Sequence, residues 1–315
     1  MTFPISGVET AFWVPILAGF VVSVLCSMGG ISGAFLLLPF QVSVLGFVSP
    51  AASSTNLVYN LVGIPSGIYR YFREGRMLWP LATVIVLATI PGACLGVVIR
   101  IRCLPDPGAF KCFVGVVLLY IGVRLLRDVM SSFSTFHAAR ALPSTSPQGP
   151  NRTQVPGPAL DDFAVRPLPS TWSRIAFRFD GETFSFSTVR LFLLALGVGL
   201  VSGTYGIGGG SLTGPILVTL FHLPVYTIAA AVLLGTLVTS VAGIVFYHVA
   251  AAHYADLGLA IAPDWLLGAL FGIGGAVGMY VGARCQKYVP ARIIKLILAA
   301  AVLFLAVRYV TAFFC

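Results

Sequence analysis

Two glycine-rich stretches carry the groups best suited to hold a ligand. The first reads Ser27-Met-Gly-Gly-Ile-Ser-Gly-Ala-Phe and supplies Gly29, Gly30, Ser32 and Gly33. The second reads Tyr205-Gly-Ile-Gly-Gly-Gly-Ser-Leu-Thr-Gly-Pro and supplies Gly208, Gly209, Gly210, Ser211 and Thr213. Glycine lets a backbone turn sharply, and a helix that starts after such a turn presents unsatisfied N–H groups. Those groups, with the positive end of the helix dipole, favour an anion. Ser32, Ser211 and Thr213 add hydroxyl donors at the same places.

A polar helix face follows each stretch. Ser53-Ser-Thr-Asn-Leu-Val-Tyr-Asn contains Asn56 and Asn60, and Thr236-Leu-Val-Thr-Ser contains Thr236 and Ser240. Each pair is four residues apart and so shares one helix face. Neutral amide and hydroxyl donors on one face suit an oxyanion, and the same groups can also bond helices to one another. Replacing Asn56 or Thr236 by an apolar residue of similar size is expected to weaken anion binding with little loss of folded protein. Acidic residues are missing from the same regions: apart from Glu9 none precedes Glu74, and none lies between Glu182 and Asp256. A cation site or a carboxylate proton relay within a membrane would ordinarily use one. The six cysteines form no C-x-x-C pair, and neither a metal site nor a cofactor is expected.

The elements that must position these groups are membrane helices. The chain has 315 residues, 58% hydrophobic and 9% charged, against roughly a quarter charged in a soluble chain. Ten apolar segments are read at 11–28, 31–48, 52–70, 77–99, 109–127, 191–206, 210–222, 226–248, 262–283 and 292–313. The runs are continuous rather than alternating, which favours helices over a β-barrel. Segments 31–48 and 210–222 are short, follow the glycines and contain Pro39 and Pro215. Each reads as a half-helix in a re-entrant hairpin.

The segments fall into two copies. Gly92-Ala-Cys-Leu-Gly onward resembles the stretch from Gly275, pairing Pro105 with Pro290, Arg102 with Lys287, Lys111 with Lys295 and Arg124 with Arg308. Earlier, Gly29-Gly30 pairs with Gly209-Gly210, Asn56 with Thr236, Asn60 with Ser240 and Gly63 with Gly243. The expected architecture is all-α: a polytopic membrane protein of two five-segment repeats, 1–128 and 188–315, joined by a Pro-rich, partly disordered cytoplasmic linker over 129–187. Alternation around Asp180-Gly181 predicts a short β-hairpin within that linker. An odd number of segments per copy inverts the second copy. If the loop with Arg70, Arg73 and Arg76 is cytoplasmic, so are the linker and the loop with Arg284, Lys287, Arg292 and Lys295, with both termini outside. The loop with Arg100, Arg102 and Lys111 is the exception, since parity sends it outside. The net charge of +9 therefore describes topology rather than nucleic-acid binding.

Inverted repeats with interrupted helices point to a secondary transporter. The paired motifs Gly206-Ile-Gly-Gly-Gly-Ser-Leu-Thr-Gly-Pro and Gly29-Gly-Ile-Ser-Gly-Ala-Phe-Leu-Leu-Leu-Pro resemble the TauE/SafE sulfite exporter family across both repeats, roughly 10–128 and 188–313. The resemblance implies export of sulfite or an organosulfonate such as sulfoacetate across a bacterial cytoplasmic membrane, and no enzymatic activity. An anion channel of the same fold remains an alternative. So does a rhomboid-like intramembrane serine protease, on Gly30-Ile-Ser32-Gly33 with His248 or His253 as base. The expected partners are the anion and the lipid bilayer, with no nucleic acid; a homodimer is left open.

Overall fold

The computed structural model describes residues 1–29, 32–73, 77–141, 166–167, 174–179, 182–221, 223, 225–285 and 291–314. Helices α1 (Trp13–Gly29), α2 (Ala34–Ser43), α3 (Pro50–Gly63), α4 (Pro65–Arg73), α5 (Trp79–Arg102) and α6 (Pro107–Ala141) come first. Strands β1 (Arg166–Pro167), β2 (Arg174–Phe179) and β3 (Glu182–Ser187) follow. Helices α7 (Thr188–Tyr205), α8 (Gly210–Leu220), α9 (Val225–His253), α10 (Trp265–Cys285) and α11 (Ala291–Phe314) complete the order. Every apolar segment of the sequence contains helix, although in 31–48 the helix covers only Ala34–Ser43. Segment 52–70 divides into α3 and α4 because Pro65 has no N–H to continue the ladder and takes a helix start. Helix α6 extends to Ala141, past the expected boundary at 128, since neither Gly nor Pro interrupts residues 109–142 except Gly115 and Gly122 in the apolar run.

The architecture is not wholly α. Strands β1, β2 and β3 form an antiparallel sheet in that order, and the register Phe179↔Glu182 leaves Asp180 and Gly181 between β2 and β3. Those two residues, like the proline-rich part of the linker at 142–165, lie outside the described residues. The alternation of β2 buries Ile175 and Phe177, which join Phe186 against Leu78, Leu81, Leu217, Leu223 and Ile228 at the starts of α5 and α9 and the end of α8.

Among the described residues, six helical stretches are long and apolar enough to cross a membrane: Trp79–Arg102, Pro107–Arg127, Thr188–Tyr205, Thr227–His253, Trp265–Gly282 and Ile293–Phe314. Their outward faces carry large apolar side chains such as Leu87, Leu95, Val116, Val245, Ile273, Val277 and Phe304. The interior instead holds Ser53, Ser54, Thr55, Asn56, Asn60, Thr89, Ser202, Thr204, Thr236, Thr239 and Ser240. Apolar side chains outside and polar ones within suit hydrocarbon as the solvent. The protein is a multi-pass membrane protein.

Two tight helix pairs brace this interior. On α10, a Cβ at Gly274 or Gly278 would overlap the carbonyl oxygen of Ile16 or Phe20 on α1; on α5, a Cβ at Gly92 or Gly96 would overlap that of Leu196 or Leu200 on α7. Residue numbers rise together along both pairs, so each runs parallel. Lipid tails are as apolar as leucine, so packing at close range, rather than hydrophobic expulsion, holds such helices together. Helix α3 packs on α9 and α10, α5 on α9, α6 on α11, α2 on α3 and α8 on α9.

Candidate anion site

The second glycine stretch forms the turn between α7 and α8. Gly206 ends α7 in the left-handed region at φ 88, where its N–H donates to the Ser202 carbonyl, and Gly208 has φ 78. Side chains rarely adopt such angles. There is also no room for one: a Cβ at Gly206 would overlap the Ser53 carbonyl oxygen on α3, and one at Gly208 would lie 2.7 Å from Thr236 Cγ2 and 2.8 Å from Ser240 Oγ on α9. A Cβ at Gly209 would meet Thr89 at 2.6 Å and Thr239 Oγ1 at 3.0 Å, and one at Gly210 would overlap the Val232 carbonyl oxygen and Thr236 Oγ1. The turn is therefore pressed between α3, α5 and α9.

Asparagines from α3 hold it there. Asn56 Nδ2 donates to the carbonyl of Gly206 at 2.9 Å and to that of Ala34, the first residue of α2, at 3.0 Å. Asn60 Nδ2 donates to the Ile207 carbonyl at 2.9 Å and to Ser240 Oγ at 3.4 Å. The sequence suggested these amides as donors to an anion; here they face backbone carbonyls of the two breaks. Thr213 Oγ1 donates to the Gly209 carbonyl and Thr236 Oγ1 to the Val232 carbonyl, both within the local helical turn.

The first stretch is only partly described. Gly30 lies outside the described residues, and Gly29 ends α1. Ser32 Oγ accepts from the Ala34 N–H at 3.4 Å. Gly33 precedes α2, and a Cβ there would overlap Tyr59 Oη and lie 3.2 Å from Ser23 Oγ. The Ser211 side chain is likewise outside the description. Gly33, Asn56, Asn60, Gly208, Gly209, Gly210, Thr236 and Ser240 thus come together around one turn, with Thr213 one helical turn further along α8.

Helices α2 and α8 leave this cluster in opposite directions. Helix α2 leads to Val48, whose carbonyl accepts from Arg100 Nη2 near the end of α5 at 2.7 Å. Helix α8 leads to Phe221, which packs edge-on against Phe186 beside the start of α5. The 24 residues of α5 separate those ends by about 36 Å. Gly209 gives α8 no side-chain cap, whereas at the start of α2 the Ala34 N–H goes to Ser32 Oγ and those of Phe35 and Leu36 go to the Ser32 and Gly33 carbonyls.

Several contributors were not singled out from sequence. Gln41 Nε2 donates to Asn56 Oδ1 at 3.4 Å, Tyr205 Oη donates to the Phe35 carbonyl at 2.8 Å, Ser23 and Tyr59 share a 2.7 Å bond, and Thr89 and Thr239 share another at 2.7 Å. Gln41 was visible as the one amide in an otherwise apolar helix. The only buried charged side chains among the described residues are Asp264 and Arg100. Asp264 caps α10 by accepting from the Leu267 N–H and also takes bonds from Ser6. Arg100 donates to the carbonyls of Val48 and Leu104 and lies over the Phe110 ring at 3.5 Å. No cluster of three or more metal-ligating side chains occurs among the described residues. His248 and His253 are exposed on α9.

Comparison with known proteins places the chain. A probable membrane transporter protein of Haemophilus influenzae is 31% identical over 126 residues, covering 39% of this chain and 44% of that protein. The probable membrane transporter protein YdhB of Bacillus subtilis is 30% identical over 109 residues, covering 35% of this chain and 40% of its own. Each match therefore spans less than half the length of the relative. No solved structure matches. The sulfite exporter TauE/SafE family matches residues 15–309. Matched across almost its whole length, with polar breaks held inside an apolar bundle, this chain belongs to the TauE/SafE sulfite exporter family.

Proposed function

We propose that the protein exports a small oxyanion, sulfite or an organosulfonate such as sulfoacetate, across a bacterial cytoplasmic membrane by alternating access between two inverted repeats, 1–128 and 188–315. The observation that carries this reading is the meeting of two oppositely directed helix starts at a cluster whose own side chains, Asn56, Asn60, Thr236 and Ser240, are all neutral. Both starts present positive dipole ends to one place. Asn56 and Asn60 assist by drawing the carbonyls of Ala34, Gly206 and Ile207 into hydrogen bonds, which reduces the negative partial charge an anion would meet. Ser32, Ser211, Thr213, Thr236 and Ser240 supply hydroxyls around it.

The repeat reading draws support from packing. Exchanging the halves turns α1 on α10 into α7 on α5, α3 on α10 into α9 on α5, and α2 on α3 into α8 on α9, all of which occur. The inverted topology gains support from Arg100, whose buried guanidinium is engaged by carbonyls and an aromatic ring rather than standing free in the outer loop. Residues 129–187 then form a cytoplasmic linker whose hairpin packs at the inner end.

Counterflow in proteoliposomes tests the function. Sulfite loaded on one side should accelerate entry of labelled sulfite from the other, with saturation. Flux that rises linearly with concentration and shows no trans-stimulation would establish a channel instead, and the absence of flux for both sulfite and sulfoacetate would remove the anion reading.

A further inference from the structure

The hydrogen bonds at the glycine turn fix which way three amides point. A backbone carbonyl can only accept, so Asn56 must turn its nitrogen toward Ala34 and Gly206, and Asn60 must turn its nitrogen toward Ile207. Flipping either would set oxygen against oxygen. Asn56 Oδ1 is thereby presented to Gln41, which must answer with Nε2. Two oxygens are left over: Gln41 Oε1 and Asn60 Oδ1 are buried without a hydrogen-bond partner among the described residues, on side chains that are both 0% exposed. Buried polar atoms are nearly always paired, and an unpaired one inside a binding region signals what the ligand must bring.

A fully ionised sulfonate brings only acceptors. Set against two amide oxygens, it would gain nothing from them and be repelled. A singly protonated oxyanion carries both characters: charge for the positive dipole ends of α2 and α8 and the uncapped N–H groups of α8, and a hydrogen to donate to an amide oxygen. Resting on the oxyanion reading above, we infer that the species bound at the glycine turn is hydrogen sulfite, recognised through its one proton by Gln41 Oε1, rather than the sulfite dianion or a sulfonate. The acceptor side belongs to the first half. Counted from Pro39 and Pro215, Gln41 falls where the second half has Leu217, and Asn60 pairs with Ser240.

The pH dependence should then come from the ligand. The buried thiol and phenol groups on the helices around this cluster are Cys26 of α1, Tyr59 of α3, Tyr205 of α7, Tyr247 of α9 and Tyr309 of α11. Thiols and phenols ordinarily ionise above neutrality. The buried charges Arg100 and Asp264 are engaged at the outer ends of α5 and α10.

Direct calorimetric binding to the purified full chain in detergent, with sulfite and methanesulfonate as probes, tests this. Sulfite affinity should fall roughly tenfold for each pH unit above the second ionisation of sulfurous acid. Methanesulfonate should bind more than about tenfold more weakly at every pH, because a site built to pair a hydrogen rejects an analogue lacking it. Gln41→Leu should erase most of that preference by weakening sulfite alone. Methanesulfonate binding as tight as sulfite in the unaltered protein, or sulfite affinity constant or rising with pH, would overturn the inference while leaving an anion transporter. Binding of neither probe at any pH would overturn both.

Discussion

At Asn56, one side chain joins three helical elements: it donates to the last turn of α7 and the first residue of α2 while standing on α3, and it accepts from Gln41. Asn56→Leu takes the side-chain partner from the Gly206 carbonyl and from the Gln41 amide nitrogen in an apolar setting, each worth about 1–3 kcal/mol. A large drop in melting temperature in detergent is expected, so the sequence-based expectation of a well-folded variant holds better at Thr236. There the hydroxyl bonds only within its own helix, and Thr236→Val should melt within a few degrees of the parent while lowering sulfite affinity in a binding titration. Backbone geometry gives a second comparison. Gly258 and Gly206 both have positive φ, but a Cβ at Gly258 meets nothing within 4 Å. Gly258→Ala should therefore cost only the left-handed penalty of about 1–2 kcal/mol, and Gly206→Ala distinctly more because Ser53 blocks it. Equal melting shifts for the two would show that the α3 contact does not constrain the turn.

Helix pairs set the next scale. The parallel contacts of α1 with α10 and of α5 with α7 depend on backbone approaching backbone, so bulk at the contact separates whole helices rather than single side chains. Gly278→Val on α10 should abolish the monodisperse peak in size-exclusion chromatography. Gly197→Ala on α7, where nothing lies within 4 Å of the added carbon, should retain the peak and melt slightly higher, with up to about 1 kcal/mol gained in helix propensity. The β2–β3 hairpin works at the same scale. Its buried Phe177 and Phe186 tie the connection between halves to α5, α8 and α9.

The whole molecule turns on sidedness. Opposed directions of α2 and α8 bring two positive helix ends to one interior point, an arrangement that follows if the halves insert in opposite senses. Cys103 is exposed just beyond the end of α5, and Ser185 is exposed on β3 near its start. In cells expressing variants with a single cysteine, a membrane-impermeant maleimide should label Cys103 from outside and Ser185→Cys only after permeabilisation. Labelling of both from one side would contradict the inverted arrangement.

Hydropathy and glycine placement are local properties, so the sequence by itself determined that the chain is a bundle of apolar helices and where two of them start after glycines. The pairing of Asn56 with Thr236 and of Asn60 with Ser240 also drew attention to residues that meet the turn. The direction of an amide is different, because it depends on which carbonyl arrives from another helix. Only the tertiary structure decided that Asn56 and Asn60 turn their nitrogens to the breaks, that Gln41 completes the network, and that Arg100 is buried against Phe110. Hydrogen bonds and burial between different helices leave no periodic trace along a chain, since each partner alone is an ordinary polar residue in an apolar run.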